Sequence, residues 1–114
     1  MKKASLTENL EYKENGPAVL VLLETETGKE IRMVFKTGQK LKEHKTPFPI
    51  VVEVFEGAID FGVNGENQEL KKGDLIALDG NVPHDLYAKE NSTVRLSLTK
   101  ADTVKRVENV AKNS

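Results

Sequence analysis

The chain contains only two histidines, His44 and His84, and no cysteine. Without thiols there is no disulfide, no thiolate zinc site and no sulfur nucleophile. The side chains left with chemistry near neutral pH are therefore the two imidazoles, which can ligate a divalent metal, exchange a proton or orient a polar ligand. Both lie in segments whose alternating pattern reads as extended, where residues of like parity share a face. By that parity His44 groups with Lys42 and Thr46, and His84 with Leu86 and Ala88. A buried neutral imidazole needs a partner for each ring nitrogen, since one donates and the other accepts. Taken singly, each histidine reads as a satisfied core or pocket residue; taken together, they read as a site.

The elements that must position them are short strands separated by turn chemistry, the pattern of an all-β domain. Strands are predicted over Ala18–Leu23, Glu30–Lys36, Leu41–Thr46, Ile50–Phe55, Ala58–Val63, Leu75–Leu78, His84–Ala88 and Thr93–Leu98. In the second of these Ile31, Met33 and Phe35 share one face. Glu56-Gly57 reads as a two-residue hairpin loop, which would set Val52 against Phe61, Val54 against Ile59 and Glu53 against Asp60. The opposed carboxylates read as a solvated outer face rather than an acid/base pair. Asn64-Gly65-Glu66, Lys72-Gly73-Asp74 and Asn81-Val82-Pro83 supply further turns, and Pro47 and Pro49 force a non-helical corner. A short helix is expected after Ala101, with Asp102 as N-cap and Val104, Val107 and Ala111 along one packing side. Ser5 to Tyr12 gives a weak signal for an edge strand.

The chain has 114 residues, 38% hydrophobic and 31% charged, with net charge -1, which suits one soluble globular domain over 1–114. Nothing in that charge attracts nucleic acid or an anionic membrane. The opening residues carry Glu8 and Glu11 where a signal peptide would need an apolar run, so a cytoplasmic location is the expectation. Lysines at 36, 40, 42 and 45 form a loose basic cluster beside His44. They read mainly as a solvated rim, with Lys42 the candidate to draw an anion to the barrel mouth.

Residues 38–88 resemble the two motifs of the cupin superfamily, small jelly-roll β-barrels with an interior metal or ligand pocket. On the first motif, G-x5-H-x-H-x3/4-E-x6-G, fall Gly38, His44 and Gly57, with Thr46 at the second histidine and Ile50 at the glutamate. On the second, G-x5-P-x-G-x2-H-x3-N, fall Gly73 and His84, while Asp79, Asn81 and Ala88 replace the proline, glycine and asparagine. The resemblance implies a small single-domain bacterial cupin, with residues 101–114 as a tail or short helix, and a homodimer. It implies an interior site built on His44 and His84, the two retained positions of a four-ligand set of three histidines and a glutamate.

Two functional classes follow. In one, His44 and His84 hold nickel, zinc, copper, iron or manganese, in a metal-assisted oxygenase or isomerase acting on a small molecule. Strong catalytic sites of this kind use three protein ligands. Asp85 and Glu43 point to the opposite face by alternation, which leaves Asp79 as the carboxylate least excluded. In the other class the barrel is a metal-free, non-enzymatic binding or sensing module. Its apolar pocket is lined by Met33, Phe35, Ile50, Val52, Val54, Phe61 and Leu86, with His44, His84 and Thr46 as the polar groups that orient a ligand.

Overall fold

The computed structural model describes residues 1–114. Nine strands are followed by one helix: β1 (Ala18–Glu24), β2 (Gly28–Phe35), β3 (Lys40–His44), β4 (Ile50–Glu56), β5 (Ala58–Val63), β6 (Glu66–Lys71), β7 (Leu75–Leu78), β8 (His84–Ala88), β9 (Ser92–Thr99) and α1 (Val104–Lys112). They form two antiparallel sheets, one of five strands in the order β1-β2-β9-β4-β7 and one of four in the order β3-β8-β5-β6. This is a jelly-roll arrangement. No helix is long and apolar enough to cross a membrane.

Alternation decides which side chains lie between the sheets. Ile50, Val52 and Val54 on β4, Val94, Leu96 and Leu98 on β9, and Ile59 and Phe61 on β5 all point inward and are buried. Burying an aliphatic or aromatic side chain of this size contributes about 1.5–3 kcal/mol. On β2 the alternation disappears, because all five residues from Ile31 to Phe35 are buried. Its outer face is covered by the N-terminal segment. The buried guanidinium of Arg32 donates from Nη1 to the carbonyls of Ser5 (3.2 Å) and Glu8 (2.8 Å), and from Nη2 to that of Asn9 (3.3 Å). Residues 5–12 thus form a strap of turns pinned over the sheet, not the edge strand their sequence suggests.

The expected β4–β5 hairpin is also corrected. The two strands belong to different sheets: β4 lies between β9 and β7, and β5 between β8 and β6. Glu53 sits opposite Arg95 and Leu75, not Asp60, and its carboxylate takes the Arg95 guanidinium at 3.0 Å. Asp60 instead sits opposite Glu69 and Tyr87. Val52, Val54, Ile59 and Phe61 still face the core, but from opposite walls. The reason lies at Gly57, the single residue between the strands, whose φ of +96° turns the chain from one sheet to the other. A Cβ there would come within 2.2 Å of Ser92 Oγ and 2.5 Å of the Asn91 carbonyl. By contrast Asn64 (φ +54°) and Gly65 (φ +79°) make a true two-residue hairpin, with Val63 opposite Glu66.

The tail folds as α1, with one change of detail. Thr103, not Asp102, is the N-cap, its hydroxyl accepting from Arg106 N–H at 3.2 Å. Val107 and Ala111 are buried, Val104 and Val110 pack beside them, and the helix lies against β1 and β3. Asp102, freed from capping, is buried and accepts from Arg106 Nε (2.7 Å) and Nη2 (2.9 Å), from the Thr46 hydroxyl (2.8 Å) and from Thr103 N–H (2.9 Å).

Candidate functional site

The two histidines come from adjacent strands. β3 and β8 pair with Leu41 opposite Leu86 and His44 opposite His84, a register that places three steps on β3 against two on β8. The extra residue is a β-bulge. It lets Leu41 and His44 both point inward while Lys42 and Glu43 lie exposed. The parity that grouped Lys42 with His44 is therefore broken, and Lys42 does not enter the interior space. On β8 the alternation is regular, and His84, Leu86 and Ala88 are all buried.

The rings approach edge to face, with centroids 4.3 Å apart and planes at 61°. Phe61, on the neighbouring β5, stacks on His84 with its centroid 5.6 Å away and the planes within 6°. In each histidine Nδ1 bonds the backbone carbonyl two residues earlier: His44 to Lys42 at 2.6 Å, His84 to Val82 at 2.9 Å. A carbonyl only accepts, so both Nδ1 atoms carry the proton and both Nε2 atoms keep a free lone pair. Burial pushes the His44 pKa down to about 4; the bond to the Lys42 carbonyl opposes this, while the neighbouring His84 and Arg106 lower it further. Burial likewise lowers His84, again with Arg106 adding to the effect. Both rings are neutral at pH 7.

The rings open on a small interior space walled by Met33, Leu41, Ile50, Val52, Leu86 and Leu96 from the sheets, and by Arg106, Val107 and Val110 from α1. Its volume is about 20 Å³, room for little more than a water molecule. Of the residues singled out by the sequence, the structure brings together His44, His84, Met33, Ile50, Val52 and Leu86 around this space. Phe61 is placed behind His84 rather than on the wall, and Phe35 and Val54 are fully buried core residues. Thr46 is corrected: it is buried, but its hydroxyl donates to Asp102, away from the histidines. Asp79, Asp85 and Glu43 are exposed, and no third His, Cys, Asp or Glu joins the pair. The sequence assigns α1 a packing side but no part in the site, whereas Arg106, Val107 and Val110 help wall it. The only advance signs of this role are the apolar stripe and the i, i+4 spacing of Asp102 and Arg106.

The Cupin domain family profile matches residues 31–99, well over half of the chain and every strand that carries the site. The chain is a cupin. Among solved structures, an RmlC-like cupin from Desulfovibrio desulfuricans superposes with a TM-score of 0.80 at 22% identity, covering 87% of this chain and 96% of that one. A conserved Streptococcus pyogenes protein gives 0.74 at 20% identity, covering 90% of each chain. KdgF from a Halomonas species gives 0.76 at 16% identity, covering 93% of this cupin and 99% of its own chain. Identities this low establish the shared fold alone. No curated protein matches the chain.

The donor set of this cupin does not fit a resident catalytic metal. The orientation is suitable, because metal-bound histidines commonly hold their second nitrogen on a carbonyl in this way. The number of donors is not. Ile50 presents hydrocarbon where the motif has its glutamate, Thr46 is engaged elsewhere, and a guanidinium adds positive charge to the same wall. Two neutral imidazoles fall short of the three strong ligands that catalytic zinc and non-haem iron sites use.

Proposed function

We propose that this cupin binds a small organic molecule inside its barrel without a resident metal, and that Nε2 of His44 and Nε2 of His84 are the acceptors that orient it. The observation that carries the reading is the anchoring of both Nδ1 atoms on backbone carbonyls. It fixes the tautomer of each ring, and the apolar walls keep both rings neutral. An enclosed, mostly hydrophobic space with a few convergent polar groups is the usual form of a small-molecule site. The stack of Phe61 on His84 and the bulge at Lys42 hold the two rings without a metal to organise them.

The test is to dialyse untagged protein against zinc, nickel, iron, copper or manganese and measure bound metal, then record the side-chain nitrogen resonances of both histidines. The expected result is substoichiometric metal and two Nδ1–H tautomers at pH 7. A fragment screen followed on the same resonances should give ligands that shift both histidines together and lose their effect in His44→Asn and His84→Asn. Stoichiometric metal that disappears in both variants would overturn the metal-free reading and return the protein to the metal-assisted class.

A further inference from the structure

Arg106 is the one charged group on the wall of the histidine space, and it arrives on the helix rather than on the barrel. Its Nε and Nη2 are taken by Asp102, while Nη1 has no hydrogen-bond partner in the protein. Asp102 cannot swing away easily, because it is buried and also accepts from Thr46 and Thr103. The guanidinium is therefore held in place with donor capacity left over. It lines the same small space as two imidazoles that, in their Nδ1–H form, can only accept.

We propose that Arg106 is an anion receptor, and that the pocket takes a small hydroxy-carboxylate, its carboxylate on Arg106 and its hydroxyl donating to the histidines. The proposal rests on the metal-free reading above and names the substrate class of that same site. The complementarity is chemical: a donor-only cation and an acceptor-only pair call for a ligand with an anionic acceptor at one end and a hydroxyl donor at the other. Arginine suits the anionic end, since its planar fork matches carboxylate geometry. The apolar walls strengthen both contacts by excluding water. A space of about 20 Å³ does not hold such a molecule with α1 fully docked. Binding therefore includes an outward shift of α1, which stays tethered at its start by the Thr46–Asp102 bond and at its end by the bond from Lys42 N–H to Ser114 Oγ, 2.9 Å.

The experiment titrates the protein with lactate, with propionate, which lacks the hydroxyl, and with 1,2-propanediol, which lacks the carboxylate. Both histidine side chains and the backbone amides of 104–112 are followed by NMR. Lactate is expected to shift both histidines and the helix amides, with propionate and the diol each binding at least 10-fold more weakly. Arg106→Gln should weaken lactate at least 10-fold, whereas Asp102→Asn, which keeps an acceptor to position the guanidinium but removes the charge that competes for it, should strengthen it several-fold. The opposite signs separate recognition from a merely structural role, which would weaken binding in both. Because Arg106→Gln leaves Asp102 buried without its cation, the Asp102→Asn/Arg106→Gln double variant serves as a folded control and should also fail to bind lactate. Diol binding at the histidines with equal strength in the protein and in the Arg106 variants would overturn the anion receptor and leave the proposed function standing. If none of the three probes moves the histidines, the anion receptor falls, and if the fragment screen is also silent the proposed function falls with it.

Discussion

Acidification offers a direct test of the buried histidine pair. The His44 imidazole has a pKa of about 4 in the folded protein against 6.5 in a free chain. The unfolded chain therefore binds the proton first, and stability falls as pH drops. The His44 contribution is fully present above about pH 6.5, declines below it and is exhausted near pH 4. At pH 5 the unscreened linkage amounts to about 2 kcal/mol. His44 is only partly buried, and solvent screening reduces this to about 1 kcal/mol. His84, lowered by the same burial, acts with the same sign. The assay is urea unfolding of the protein and of His44→Asn at pH 7, 6 and 5. Asparagine keeps a donor for the Lys42 carbonyl but cannot titrate. Stopping at pH 5 leaves Asp102 out of play: burial pushes its carboxyl up, but the bonds from Arg106 and Thr46 overcome this and hold it below the ordinary carboxylate range. The expected outcome is a loss of stability from pH 7 to pH 5 that is about 1 kcal/mol smaller in the variant. An identical pH dependence in the two proteins would refute the reasoning, because the ring would then be as easily protonated folded as unfolded.

Other parts of the fold give independent tests. Phe61→Ala removes a fully buried ring and the platform under His84, and should destabilise by about 3–5 kcal/mol in urea unfolding while broadening the His84 side-chain resonances. Gly57→Ala places a Cβ against Ser92 and Asn91 at a positive φ. A loss of at least about 2 kcal/mol is expected, and no measurable loss would mean that the corner between the sheets can relax. Thr46→Val leaves the buried Asp102 short of one donor and should cost about 1–2 kcal/mol, with faster amide exchange in α1 than in β9. Arg32→Met removes the three bonds that pin the N-terminal strap, so limited proteolysis should cut within residues 5–12 while the barrel stays folded.

Much of this architecture was legible in the chain because β-strand periodicity is a local signal. The inward set Ile50, Val52, Val54 and the inward set His84, Leu86, Ala88 can be read from alternation alone. Pairing is not local, and β4 and β5 do not form the hairpin that their sequence suggests. Glu56-Gly57 satisfies the chemistry of a hairpin, yet the choice between folding back and crossing to the facing sheet depends on Ser92 and Asn91, more than 30 residues away. The bulge between Leu41 and His44 escaped for a similar reason. An alternating pattern carries no mark of an inserted residue, so parity counted through it assigns Lys42 to the wrong face. Arg32 shows the converse. A charged residue in a strand reads as outward and solvated, and only the strap folded over it explains why it is buried.

The two departures at the ligand positions of the first cupin motif, Thr46 and Ile50, make sense together once α1 is in place. Ile50, at the glutamate position, adds hydrocarbon to a wall that Val107 and Val110 complete from the helix. Thr46, at the second histidine position, turns its hydroxyl to Asp102, the residue that fixes Arg106 and leads into the helix. A carboxylate at position 50 would enter a mostly apolar space whose one cation, Arg106, is already paired with Asp102, so it would have to compete for the guanidinium that Asp102 holds at the helix start. A histidine at 46 would give up the bond that ties the helix start to the barrel. The positions that serve a metal in the family pattern here serve the docking of a helix, and the two histidines that remain face a guanidinium in place of a third and fourth ligand. Restoring the motif by Thr46→His and Ile50→Glu should therefore undock α1 before it builds a metal site, read as loss of protection in the amides of 104–112 in the absence of metal.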